Sequence, residues 1–110
     1  MIGEIRVTPV GKSEEFARLV ARAVGVIAES KLQYHVGAMG TSVEGSLDEI
    51  LGAFRRLHED MRLHCDRVLM ELAIDDRAGA EGELVRSLER VRKLEVGVPL
   101  ERLVASPARR

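Results

Sequence analysis

The sequence predicts an α+β sandwich in the order β-α-β-β-α-β, followed by an extra C-terminal helix. Three observations lead there. Residues 2–10 and 67–75 alternate with period two, as half-buried strands do. Residues 16–28 and 47–61 carry apolar side chains at helical spacing. Between the helical stretches, QYHVGAMGTSVEG at 33–45 is too rich in glycine for a helix and sits where a hairpin would join two strands.

In the first strand Gly3, Ile5 and Val7 point one way and Glu4, Arg6 and Thr8 the other, until Pro9 and Gly11 end it. The next segment places Phe16, Leu19, Val20, Ala23, Val24, Ile27 and Ala28 on one helical face, with Ser13 as expected N-cap and Glu14 and Glu15 beside the positive end of the dipole. Gly25 inside that helix costs about 1 kcal/mol relative to alanine. The hairpin is expected as strands Gln33–Met39 and Thr41–Gly45 joined at Gly40, a position that would use glycine's access to positive φ. Ser46-Leu47-Asp48-Glu49 spells a capping box, so a second helix starts there, with Leu47, Ile50, Leu51, Phe54, Leu57 and Met61 along its apolar face, and stops near His64.

The fourth strand, Arg67 to Asp75, sets Val68, Met70, Leu72 and Ile74 against Leu69, Glu71, Ala73 and Asp75. A third helix fits about 81–95, with Leu84, Val85, Leu88 and Val91 as its stripe and i,i+4 pairs such as Glu89 with Lys93 outside. Two right-handed βαβ crossovers around a hairpin give a ferredoxin-like sandwich, a four-stranded antiparallel sheet with both main helices on one face. Residues 1–96 form the domain, and 97–110, holding Pro99 and Pro107, form an extension or tail. The opposite sheet face is left open. Alternation assigns it Glu4, Arg6, Thr8, His35, Met39, Ser42, Glu44, Glu71, Ala73 and Asp75, a mixture suited to sheet-on-sheet packing in an oligomer.

Composition removes several functions. Seventeen Lys and Arg against eighteen Asp and Glu leave a net charge of −1, so there is no basic field for a nucleic-acid backbone. Phe16, Phe54 and Tyr34 are the only aromatic residues, too few for stacked bases. The lone Cys65 excludes an internal disulfide and the cysteine-rich zinc sites. His58 lies on or beside the apolar face of its helix without a ligand at i+3 or i+4, and His64 and Cys65 are adjacent, so no metal is expected. His35 alternates onto the open face, where its protonation would tune assembly. No serine or cysteine is marked as a nucleophile with a base and an orienting acid, so no catalysis is expected. No apolar run spans a bilayer, and Glu4 and Arg6 interrupt the start, so the expected location is cytoplasmic.

Three segments carry a specific likeness: IGEIRVTPVG at 2–11, MGTSVEG with SLDEIL at 39–51, and ELAIDDR at 71–77. In order and spacing they make the chain, from residue 2 to about 95, resemble the YkoF-like thiamine-binding family. That resemblance implies the ferredoxin-like fold, assembly as a dimer or tetramer, and reversible binding of thiamine or its hydroxymethylpyrimidine part without bond chemistry or a cofactor. Carried onto this chain it points to Thr8, Met39, Gly40, Thr41, Glu44, Asp75, Asp76 and Arg77 as ligand-binding. After Asp76-Arg77, where the family often keeps polar residues, this chain has Ala78-Gly79-Ala80.

A thiamine-like ligand needs a carboxylate against its cationic ring, hydroxyls for its aminopyrimidine edge and an apolar wall. Glu44, Asp75 and Asp76 offer charge, Thr8 and Thr41 hydroxyls, and Met39 a polarisable wall. Each has a plainer alternative: Glu44 and Glu71 pairing with Arg6 across strands, Asp75-Asp76-Arg77 forming a turn locked by Arg77, and Thr8 capping a strand end. The competing functional expectation is a sensing or interaction module for a different effector.

Overall fold

The computed structural model describes residues 1–94; the tail expected at 97–110 lies outside the described residues. In chain order the elements are β1 (Ile2–Val10), α1 (Phe16–Glu29), β2 (Gln33–Val36), β3 (Thr41–Glu44), α2 (Leu47–Arg62), β4 (Arg67–Asp75) and α3 (Glu83–Leu94). The sheet runs β2-β3-β1-β4, antiparallel throughout, which is the ferredoxin-like arrangement the crossovers require. One face of the sheet meets α1 and α2, and Ile5, Ala23, Ile27, Val43, Ile50, Leu57 and Met61 are buried between them.

The capping box forms as read. The Ser46 hydroxyl accepts from the Glu49 amide at 3.1 Å, and the Glu49 carboxylate accepts from the Ser46 amide at 2.9 Å. Ser13 does not cap α1. Residues Ser13–Glu15 wind as a 3₁₀ turn, Glu15 N–H donating to the Lys12 carbonyl, and α1 begins at Phe16 without a side-chain cap. The turn uses up the residues that a capped helix start would need. The two helices are tied by a bidentate ion pair, Arg22 Nε and Nη2 to Asp60 Oδ2 and Oδ1 at 2.7 and 2.8 Å. The hydrogen bond with Arg22 holds the Asp60 carboxyl below its ordinary range, against some desolvation.

Four further expectations change. β2 stops at Val36 rather than Met39, because Gly37–Gly40 forms the hairpin loop, closed by Gly37 N–H donating to the Gly40 carbonyl at 2.8 Å. His58 is exposed, on the solvent side of α2 rather than its apolar face. α3 begins at Glu83 rather than 81, since Gly82 takes a positive φ of 67° that ends the loop before the helix. The face opposite α1 and α2 is not wholly open either: α3 seats its first turn there, against β3 and β2, and Leu84 is buried by it at 5% exposure.

Gly3 shows how closely α2 lies on the sheet. A Cβ at this position would stand 2.9 Å from Ile50 Cγ2 and 3.3 Å from Leu72 Cδ1. Gly3→Ala therefore lowers the unfolding free energy by about 1–3 kcal/mol through overpacking, read from urea denaturation; an unchanged midpoint would contradict this packing.

Candidate functional site

The site follows from an unequal division of β1. Along its whole length, Ile2 to Val10, β1 pairs with β4, but with β3 it pairs only from Ile2 to Ile5. β3 cannot follow further, because the hairpin loop turns the chain away at Gly40. Residues Arg6–Val10 thus lack a strand on that side. α1 runs past the gap and turns Phe16, Val20 and Val24 into it, and the result is a cleft of about 260 Å³ between β1, α1 and the loop.

Gly40 sets the mouth of this cleft. Its φ is not positive, contrary to the hairpin expectation. Glycine serves close approach here: a Cβ would fall 2.9 Å from the Ile5 carbonyl oxygen, 2.8 Å from Arg6 Cγ and 2.6 Å from Glu4 Oε2. Only a bare Cα lets the loop lie against β1.

The cleft wall is mostly aliphatic, with Phe16 as its one aromatic ring and Met39, 73% exposed, on the loop at its rim. Thr8 and Thr41 are the hydroxyl-bearing residues of the lining. Thr41 is buried to 6% exposure. Arg6 is the only ionisable side chain in the lining, its Nε 3.4 Å from Glu71 Oε1. No carboxylate, histidine or cysteine lines the cleft. Such a wall suits a flat, uncharged ring whose polar edge needs a few fixed partners.

Thr8, Met39, Gly40 and Thr41 therefore meet at this end. Glu44, Asp75, Asp76 and Arg77 lie at the other. Ile2 faces both Glu44 and Asp75 in the registers of its two neighbours, six residues along β1 from Thr8, or about 20 Å for an extended strand. There the Glu44 carboxylate caps α3: its two oxygens accept the amides of Glu83 at 2.9 Å and Leu84 at 3.2 Å. Desolvation pushes the Glu44 carboxyl up, but the amides of Leu84 and Glu83, the N-terminal amine and the Gly82 amide outweigh it and hold the group below its ordinary value. Arg77 Nη1 closes on Glu83 Oε1 at 3.2 Å, the turn-locking role. The space between Met1, Ile2, Asp75 and these groups is only about 30 Å³, enough for a water molecule but not for a ring.

Phe16, Val20, Val36 and Arg6 enter the lining without having been singled out from sequence. One signal was present: the α1 stripe holds seven apolar positions, wider than a helix needs to cover one sheet face. Leu19, Ala23 and Ile27 are buried, and Phe16, Val20 and Val24 face the cleft, where Ala23 and Ile27 form its floor.

The profile of the thiamine-binding protein family matches residues 3–92. The UPF0045 protein MJ1052 of Methanocaldococcus jannaschii is 35% identical over 94 residues, covering 86% of this chain and 94% of that protein. A UPF0045 protein of Methanothermobacter thermautotrophicus is 34% identical over 93 residues, covering 82% and 94%. The crystal structure of MJ1052 superposes with a TM-score of 0.75 over 84% of this chain and 95% of that one. That of a candidate thiamine biosynthesis or salvage protein of Thermotoga maritima superposes with a TM-score of 0.73 at 25% identity, over 81% and 96%.

The Glu44 cap has a pH signature. A carboxyl whose pKa is lowered on folding stabilises the fold above its unfolded value, near 4.5, and that contribution disappears as pH falls through the lower folded value. Glu44→Gln removes it, so wild type and variant should differ in thermal midpoint at pH 7 and converge below pH 4.5; a difference that persists in acid would show that the charge does not hold α3.

Proposed function

The chain belongs to the thiamine-binding protein family, and from that premise we propose that it reversibly binds the hydroxymethylpyrimidine ring, free or as part of thiamine, in the cleft beside Thr8, Met39, Gly40 and Thr41. The observation that carries this reading is the cleft's lining: aliphatic walls, one aromatic ring, two threonines, Arg6 as the one ionisable side chain, and no carboxylate. A neutral aminopyrimidine satisfies it directly. In thiamine the cationic thiazolium would have to lie outside, past Met39, where solvent screens its charge.

Binding proceeds without bond chemistry in this reading. The lining offers no nucleophile with a base, and Cys65, the one thiol, is buried and donates to the Met61 carbonyl at 3.1 Å. A cytoplasmic setting agrees with that free thiol. Among the described residues no helix is long and apolar enough to cross a membrane.

We further propose that the protein acts as a dimer or tetramer. The part of the sheet that α3 leaves uncovered exposes Leu69, and α3 itself exposes Val85, Leu88 and Val91. In such an assembly Asp75 and Asp76, both exposed, are placed to reach a ligand held by a neighbouring copy, while Glu44 and Arg77 serve by holding α3.

Calorimetric titration tests this. Hydroxymethylpyrimidine should give saturable heat, thiamine a weaker response, and a control nucleotide none. Phe16→Ala should weaken binding by about 1 kcal/mol, roughly fivefold, through loss of ring contact. Absence of binding up to millimolar ligand would overturn the reading, and a native mass equal to one chain would overturn the shared site.

A further inference from the structure

Pro9 faces Val68 in the register of β1 with β4. A proline nitrogen carries no hydrogen, so in an unbroken ladder it has to point away from the partner strand. Backbone groups alternate sides along a strand with period two, and residues that send N–H and C=O to the same side are therefore Gly3, Ile5, Val7 and Pro9. Ile5 agrees: its carbonyl oxygen lies under Gly40, on the β3 side. The N–H and C=O of Ile5 meet Thr41, its partner in β3. Those of Val7 project into the gap where β3 is missing. Among the described residues no backbone or side-chain hydrogen bond outside the β-ladder involves Val7, and Val7 lines the cleft.

We infer that the Val7 N–H and C=O are the groups that read the polar edge of the ligand ring. An aminopyrimidine presents a ring nitrogen that accepts and an adjacent exocyclic amine that donates. The free strand edge presents the complementary donor and acceptor, rigidly held because β4 fixes the other side of β1 along its full length. Side chains then supply the flat walls, Phe16 and Val20 from α1 and Met39 from the loop. The inference rests on the ligand reading above and deepens it by naming the recognition element.

A ring fits this edge better than a peptide strand. The loop at Gly40 blocks the line that a new strand would follow alongside Ile5, and the cleft's 260 Å³ is just under the range of about 300–1,000 Å³ for pockets that hold drug-sized molecules, which suits a single small ring.

The test is by nuclear magnetic resonance on the wild-type chain, with calorimetry beside it. Saturating hydroxymethylpyrimidine should shift the Val7 amide resonance strongly and slow its hydrogen exchange by about tenfold or more. The analogue lacking the exocyclic amine should bind about tenfold more weakly. Val7→Pro, which removes the donor at a position that already tolerates proline two residues later, should lose binding while keeping the far-ultraviolet circular dichroism of the wild type. Saturable binding with an unmoved, unprotected Val7 amide would overturn this inference and leave the ligand reading standing. Absence of binding would overturn both.

Discussion

β1 is shared unequally between two neighbours, and most of what distinguishes this molecule descends from that. β4 holds it over nine residues, which fixes its register along the whole strand. β3 holds only the first part, because a four-residue loop diverts the hairpin. Where all three strands are side by side, the sheet is complete and offers a surface on which α3 can sit. Where β3 is absent, the same strand shows its backbone edge to a cleft. One inner strand thus serves as scaffold at one end and, in the proposed reading, as recognition surface at the other.

The two ends also divide the charges. Glu44 is close enough to α3 for its two oxygens to take the first amides of the helix, which satisfies orphan donors and sets a negative group against the positive end of the dipole. That commitment gives Glu44 a structural task, with Arg77 supporting it through Glu83. The cleft end, by contrast, holds one arginine and hydroxyls. An uncharged ring suits the apolar wall, while Glu44 and Asp75 flank Ile2 at the far end of β1, about 20 Å from Thr8.

Local patterns carried most of the fold. Period-two alternation located β1 and β4, and the Ser46 to Glu49 capping box fixed the start of α2, because both depend on residues a few positions apart. The hairpin loop was less legible: Gly37 to Met39 continue an alternating pattern, and only the contact of Gly40 with Ile5 and Arg6 decides where pairing stops. The Glu44 cap could not be read locally at all, since its partners lie 39 and 40 residues later. At the candidate site, family likeness pointed to the hairpin residues and Thr8, which the structure brings together along one cleft. Phe16 and Val20 were hidden, because a helix stripe that serves both core and cleft looks in sequence like a wide core stripe.

In the proposed complex one ring lies against the free edge of β1 between α1 and the hairpin loop. A crystal structure of the protein grown with saturating hydroxymethylpyrimidine addresses it most directly. Ring density is expected between Phe16 and Met39, with its polar edge within hydrogen-bonding distance of Val7 N and O. Density instead beside Asp75 and Arg77, with the cleft holding only solvent, would contradict it.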